Sequence, residues 1–266
     1  MSTMRTLAPW LLAALLLGLA LALPPIAQPM QYHAFADQRA CPGMFSFLPN
    51  CLDTVSNALF TLVGIIGLLF LRGEMGQRAA QWHRVFFNPQ EAWPYALFFV
   101  ALILLGFASG YYHLAPDNAG LAWDRAAMAL AFMAWFAAIL CERISPRAGL
   151  TLLPVLLVAG LGSVAWWYWS ETQGMGDLRF YIVMQLTPIL LVPLLLWLYP
   201  PRYDDGRDIM VVIGLYLLAL LFDFTDRPVF ALTGGLVSGH TLKHVVAALA
   251  ALWVVRYLHR RKAAIP

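Results

Sequence analysis

The chain is short of charge. Only 12% of its 266 residues are Asp, Glu, Lys or Arg, against about 25% in an ordinary soluble domain. Apolar residues make up 61%, and the mean hydropathy is +0.71. This balance excludes a disordered chain, a nucleic-acid binder built on a basic patch and a typical water-soluble enzyme. The net charge of +3 names no partner. The chain also lacks internal repeats, low-complexity tracts and any linker long enough to separate a pair of domains. Its three cysteines include no CxxC pair of the kind that marks a strong zinc motif. What remains is an integral membrane protein.

A crossing helix needs about 20 mostly apolar residues. Eight windows qualify: Leu7–Ala27, Thr54–Leu71, Ala92–His113, Trp123–Cys141, Leu150–Trp169, Leu178–Leu198, Ile209–Phe224 and Leu236–Tyr257. The seventh is the shortest and carries Asp223 at its end. The first has Arg5 ahead of its apolar run, as a signal peptide does. However, its run outlasts the usual h-region of about 7–15 residues, and Pro24-Pro25-Ile26-Ala27-Gln28 offers no clean small-x-small cleavage site. A retained helix is therefore expected. The fold class is all-α, a polytopic membrane helix bundle with a seven-helix core plus one N-terminal helix. The domain plan is an N-terminal helix in residues 1–30, the core in 31–258 and a basic tail in 259–266.

Lys and Arg are enriched in cytoplasmic loops. With both termini on one side, that side holds Arg5, Arg72, Arg78, Arg84, Arg143, Arg147, Arg202, Arg207, Arg256, Arg260, Arg261 and Lys262. The other side holds only Arg39, Arg179 and Arg227, while Arg125 and Lys243 sit just inside spans. Both termini are thus expected in the cytoplasm. Cys41 and Cys51 then share the first outer loop, where an oxidising compartment allows a disulfide and a free pair is the alternative. Cys141 lies at the cytoplasmic end of a span.

Ionisable groups within a span are costly and usually face a cavity or a partner. They concentrate in Asp53-Thr54-Val55-Ser56-Asn57, Ser109-Gly110-Tyr111-Tyr112-His113, Trp123-Asp124-Arg125 and Ser238-Gly239-His240-Thr241-Leu242-Lys243-His244. His240 and His244 are four apart and share a helical face, as do Ser109 and His113. The short 114–122 connection makes the third and fourth windows antiparallel neighbours, so Asp124 sits near the depth of His113. All four stretches fall at the outer ends of their helices.

Three neutral imidazoles with an open fourth position make a catalytic zinc arrangement, in which bound water reaches a pKa of about 7. Asp124 then suits proton transfer from that water to a leaving amine, and Ser109 suits a hydrogen bond to the developing oxyanion. Duller readings exist for each residue. A lone His at a helix end is commonly interfacial, and Ser109 can bond its own helix backbone. Asp124 can serve the helix dipole or pair with Lys243 or Arg125. Asp223, Asp226 and Arg227 read as a structural ion-pair cluster, and Trp166-Trp167-Tyr168-Trp169 as an aromatic belt.

The order Thr-Val-Ser-Asn, Ser-x-x-x-His, Asp eleven residues on and a late His-x-x-x-His resembles the alkaline ceramidase family. That family sits within a wider group of seven-helix membrane hydrolases, which also includes the adiponectin-receptor-like proteins. The resemblance spans about residues 37 to 258. The stretches Phe35-Ala36-Asp37-Gln38-Arg39, Tyr111-Tyr112-His113-Leu114-Ala115-Pro116-Asp117-Asn118 and 238–244 look most like its bacterial branch. The resemblance implies zinc on His113, His240 and His244, with Ser109 and Asp124 serving catalysis. Three features depart from the family, one of them the first helix, an addition to a seven-span core. Asn50 stands where a calcium-binding glutamate is expected, which puts calcium in doubt. Asp124 is followed by Arg125-Ala126-Ala127-Met128, keeping the methionine but not the usual proline.

The expected function is a zinc-dependent lipid amidase of a bacterial inner membrane, cleaving the N-acyl bond of a ceramide or other N-acyl lipid to a long-chain base and a fatty acid. The metal site would lie toward the periplasmic face, and no nucleic acid is involved. Two rivals stand beside it. A receptor-like or sensory protein with a structural zinc predicts metal without turnover. A proton-coupled small-solute transporter through His113, Asp124 and Lys243 predicts none, and the sequence lacks the paired broken helices of such folds.

Overall fold

The computed structural model describes residues 2–76, 85–203 and 206–261. Arg78, Arg84 and Lys262 of the charge tally lie outside the described residues, as does most of the basic tail. The described residues are all-helical. Helix α1 (Ser2–Ala22) is followed by α2 (Cys51–Ser56), α3 (Ala58–Gly76), α4 (Ala92–Leu114), α5 (Asn118–Arg143) and α6 (Pro146–Thr172). Then come α7 (Arg179–Leu198), α8 (Arg207–Phe224), α9 (Asp226–Leu232) and α10 (Gly239–Arg260).

Six helical stretches among the described residues are long and apolar enough to cross a membrane, and seven if the bent pair α8–α9 counts as one span. The bend there is 81°. Two expectations change in detail. The first helix stops at Ala22 and offers only a shorter apolar stretch, Leu7–Ala22. The last helix begins at Gly239 rather than Leu236. The later start follows from turn chemistry: Gly234 and Gly235 adopt positive φ, and the Ser238 hydroxyl caps α10 by accepting from Thr241 N at 2.9 Å. The same device opens α5, where Asp117 accepts from Gly120 N, and α6, where Ser145 accepts from Ala148 N ahead of Pro146.

Helix α5 is the axis of the bundle. Met133, Ala134, Ala137, Ala138 and Ile139 are fully buried along it, and it packs on α4, α6 and α7. Its alanines let neighbouring backbones come close, which is how helices associate when lipid offers no hydrophobic drive. Gly106 on α4 serves the same end, because a Cβ there would stand 2.1 Å from Thr61 Oγ1 of α3. Helix α10 packs between α3 and α8, while the consecutive helices α7 and α8 pack little against each other.

The far end of the bundle is closed by polar contacts. Glu142 accepts from Tyr95 Oη, Tyr257 Oη and Arg261, and Arg261 lies 3.4 Å over the Tyr203 ring. Tyr203 Oη in turn donates to Glu91 at 2.8 Å. This network seats the C-terminal end of α10 and so fixes the height of the histidines at its start.

Candidate metal centre and cavity

Helix α2, the C-terminal ends of α4 and α8 and the N-terminal ends of α5 and α10 meet in one layer. Ser109 and His113 occupy successive turns of α4, and His240 and His244 successive turns of α10; all four are buried. The imidazole centroids form a nearly equilateral triangle with sides of 4.8, 4.9 and 5.0 Å. Their candidate ligand nitrogens all lie within 4.8 Å of one another, and Nε2 of His113 stands 3.3 Å from Nε2 of His240. Phe35 covers the group, its ring centroid 4.5 Å from that of His113 and 4.7 Å from that of His240. This buried trio could hold a metal ion.

Hydrogen bonds set the tautomers of two of the three. Ser56 Oγ donates to the Asp53 carbonyl at 3.1 Å and lies 2.8 Å from His244 Nδ1. With that proton on the carbonyl, the serine would accept from Nδ1–H, which would leave a lone pair on His244 Nε2. Asp223 Oδ1 lies 3.0 Å from His240 Nδ1, so that imidazole also donates outward from Nδ1. Such outer partners orient ligating histidines. Among the described residues His113 Nδ1 has no hydrogen-bond partner; the backbone carbonyl of His113 instead accepts from Asn50 Nδ2 at 2.8 Å. Asn50 adopts φ of +47° to reach it, a conformation that asparagine tolerates better than most residues.

The backbone around the trio is pinned by carboxylates. Asp226 accepts from His240 N at 2.9 Å and from Ala36 N at 2.8 Å. Asp53 accepts from Ser238 Oγ at 3.0 Å and Thr241 Oγ1 at 2.5 Å. Gly239 allows α10 to start hard against the α8–α9 bend, where a Cβ would fall 2.3 Å from Phe222 O. The Cys41–Cys51 disulfide, Cα atoms 4.8 Å apart, closes the loop that carries Asn50. Of the two acids in that loop region, Asp37 is gripped by Arg39, which holds its carboxyl below the usual carboxylate range.

Three sequence readings are corrected here. Asp223, Asp226 and Arg227 do not form one ion-pair cluster: Asp223 serves His240 and Lys243, Asp226 serves backbone amides, and Arg227 donates to Ala34 O. Lys243 pairs with Asp223 at 3.0 Å rather than with Asp124. The aromatic run is not simply a belt, because Trp167 is fully buried and Trp169 exposed, and Trp167 donates to Glu171 at 3.1 Å. Sequence reasoning missed Asn50 and Ser56 as partners of the histidine group. Asp223 carries a readable signal, an acid at the end of a span, but its spacing along the chain does not show that it meets His240.

Beside the trio lies a cavity of about 290 Å³. Ser109, Asp124, Arg125, Asp223, Lys243, His244 and Tyr32 line its polar end. The rest of its wall is apolar and includes Phe98, Leu102, Met128, Trp135, Ile189 and Ala251. From Asp124 to Trp135 along α5 is eleven residues, or roughly 16 Å at 1.5 Å per residue, about half the ~30 Å of a bilayer's hydrocarbon core. The cavity therefore has the length of one leaflet's acyl chain. Both α7 and α8 contribute to its wall, on the side where those helices pack little.

No protein-family model matches the chain, and no match is found among curated proteins.

Asp223→Asn should test the outer partner of His240. It should weaken metal affinity about 10- to 100-fold without unfolding the protein, as read by competition with a graded chelator. A change under about twofold would mean that Asp223 serves Lys243 alone.

Proposed function

We propose that the protein is a zinc-dependent membrane hydrolase that cleaves the N-acyl amide bond of a ceramide-like lipid to a long-chain base and a fatty acid. The observation that carries this reading is a chain-length apolar cavity ending at Ser109, Asp124 and His244. Zinc suits the trio on two counts. The donors are neutral imidazoles, and ligands about 2.0–2.1 Å from a tetrahedral ion stand roughly 3.3 Å apart, the separation of the His113 and His240 Nε2 atoms. Zinc held there supplies Lewis acidity and a lowered pKa for water.

The remaining work falls to side chains. Asp124 carries a buried oxygen, Oδ1, with no hydrogen-bond partner among the described residues, suited to take a proton from the attacking water and return it to the leaving amine. Ser109, facing Asp124 from one turn before His113, donates to the amide oxygen as negative charge grows on it. The apolar wall holds the acyl chain and keeps bulk water away. The resemblance of these motifs to alkaline ceramidases points the same way. The arginine distribution and the disulfide beside the site support a bacterial inner-membrane protein with cytoplasmic termini and an outward, periplasmic site.

Release of amine from N-acyl lipids of graded chain length tests the proposal. Ala251 lines the cavity on α10, seven residues or roughly 10 Å below His244. Ala251→Phe should keep the metal and short-chain turnover but lose long-chain turnover by about tenfold or more, since overfilling a packed space is costly. Metal with no release from any lipid amide would favour the receptor-like reading.

A further inference from the structure

Among the arginines at the ends of the bundle, several have a carboxylate of their own. Arg39 has Asp37 and Arg179 has Asp177, each at 2.7 Å. Arg261 has Glu142, and Arg202 has Glu91 at 3.6 Å. Arg125 differs. It is buried, 6% exposed, follows Asp124 on α5 and lines the same polar end of the cavity. Its Nη2 donates to the neutral amide of Gln28 at 2.6 Å, and its Nη1 has no hydrogen-bond partner among the described residues. Aromatic rings surround its guanidinium instead: Trp167 at 4.1 Å, Tyr181 at 4.9 Å and Tyr32 at 5.6 Å.

A charge inside a span is expensive, and aromatic faces offset only part of the cost. The other charged groups at this end are Asp124, which has its own part in the chemistry, Lys243, already paired with Asp223, and Glu171, whose Oε1 accepts from Gln28 N and Trp167 Nε1. The arginine is thus held rigid, dry and one donor short of satisfaction. A guanidinium presents a planar fork that matches carboxylate and phosphate oxygens. The lipid's tail leaves one apolar medium for another, so its burial discriminates little. Recognition must come largely from the head.

We propose that Arg125 forms an anion-accepting subsite, and that the lipid taken here carries a carboxylate or phosphate on the amine side of its amide. This rests on the amidase reading and narrows it: the preferred substrate is an anionic N-acyl lipid rather than a neutral ceramide. In this arrangement Nη1 meets the anion while Gln28 and the rings keep the fork in place.

Three probes of equal chain length and no amide test the subsite apart from turnover: hexadecyloxyacetate, 2-(hexadecyloxy)ethyl phosphate and neutral 2-hexadecyloxyethanol. Affinities come from displacement of a fluorescent fatty probe from the purified, detergent-solubilised protein. The parent should bind at least one of the two anions about tenfold or more tightly than the alcohol, the size expected of a charge-assisted contact, and the stronger one names the headgroup chemistry. Arg125→Gln should bring all three within about twofold while still binding the alcohol, which reports an intact cavity. Arg125→Lys, which keeps the charge but not the fork, should retain some of the preference.

Equal binding of anions and alcohol by the parent overturns the subsite without recourse to any variant. So does an anion preference that survives in Arg125→Gln, because the anion would then be held by the histidine site. Anion preference with no hydrolysis of matched amides would support the subsite and remove the amidase reading. Hydrolysis of neutral ceramide with no anion preference would do the reverse.

Discussion

The double variant His240→Ala/His244→Ala should leave purification with almost no zinc, where the parent carries about one ion per chain. Two of the three imidazoles that define the triangle come from α10, so their removal leaves His113 alone, and a single imidazole cannot hold the ion through washing. The variant should still fold. Asp223 keeps Lys243 as its partner, Ser56 keeps the Asp53 carbonyl, and α10 keeps its cap. Metal analysis beside circular dichroism and elution volume reads the outcome. A well-folded parent with no zinc, prepared without chelators, would remove the hydrolytic reading and move proton-coupled transport to the front.

Much of this architecture is legible in the sequence because a bilayer permits so few solutions. Each span must be a helix that satisfies its own backbone, so apolar windows translate almost directly into elements. The four-residue spacing of Ser109 and His113, and of His240 and His244, likewise fixes which side chains share a face. Co-location of the histidines is inferred from the charge tally that sets these stretches at one end of their helices, and their ring separations near 5 Å agree with it.

What sequence does not carry is whatever depends on two helices at once. Asp223 reaches His240 because the end of α8 packs against the start of α10. Ser56 reaches His244 because α2 packs against the start of α10. Periodicity along one helix shows neither fact. Trp167 escapes for the same reason: its neighbours in sequence are interfacial, but its own direction points inward to Glu171 and Arg125. The choice between a disulfide and a free pair at Cys41 and Cys51 needs the loop's path, which brings their Cα atoms to 4.8 Å.

Asp124→Asn should retain zinc and lose turnover by about 10²- to 10⁴-fold, the usual contribution of a positioned general base. The argument is one of elimination among carboxylates. Among the described residues only two acids line the cavity, Asp124 and Asp223. Asp223 is committed to His240 and Lys243, while Asp53 and Asp226 bond α10 and do not line the cavity, although Asp53 Oδ2 is likewise without a partner among the described residues. Asp124 alone brings a buried oxygen with no partner to the place where the amide would lie. Asparagine has the same shape, so the bundle and the metal should persist, and the loss should fall on kcat rather than KM. Ser109→Ala should lose less than the aspartate variant if it supplies one donor among several, within about 10²- to 10³-fold. Its pH profile should keep the parent's shape, because the serine stabilises charge without moving the proton. Full activity in Asp124→Asn, with zinc still bound, would sink the proposed base and leave the cavity without an acid free to carry the proton.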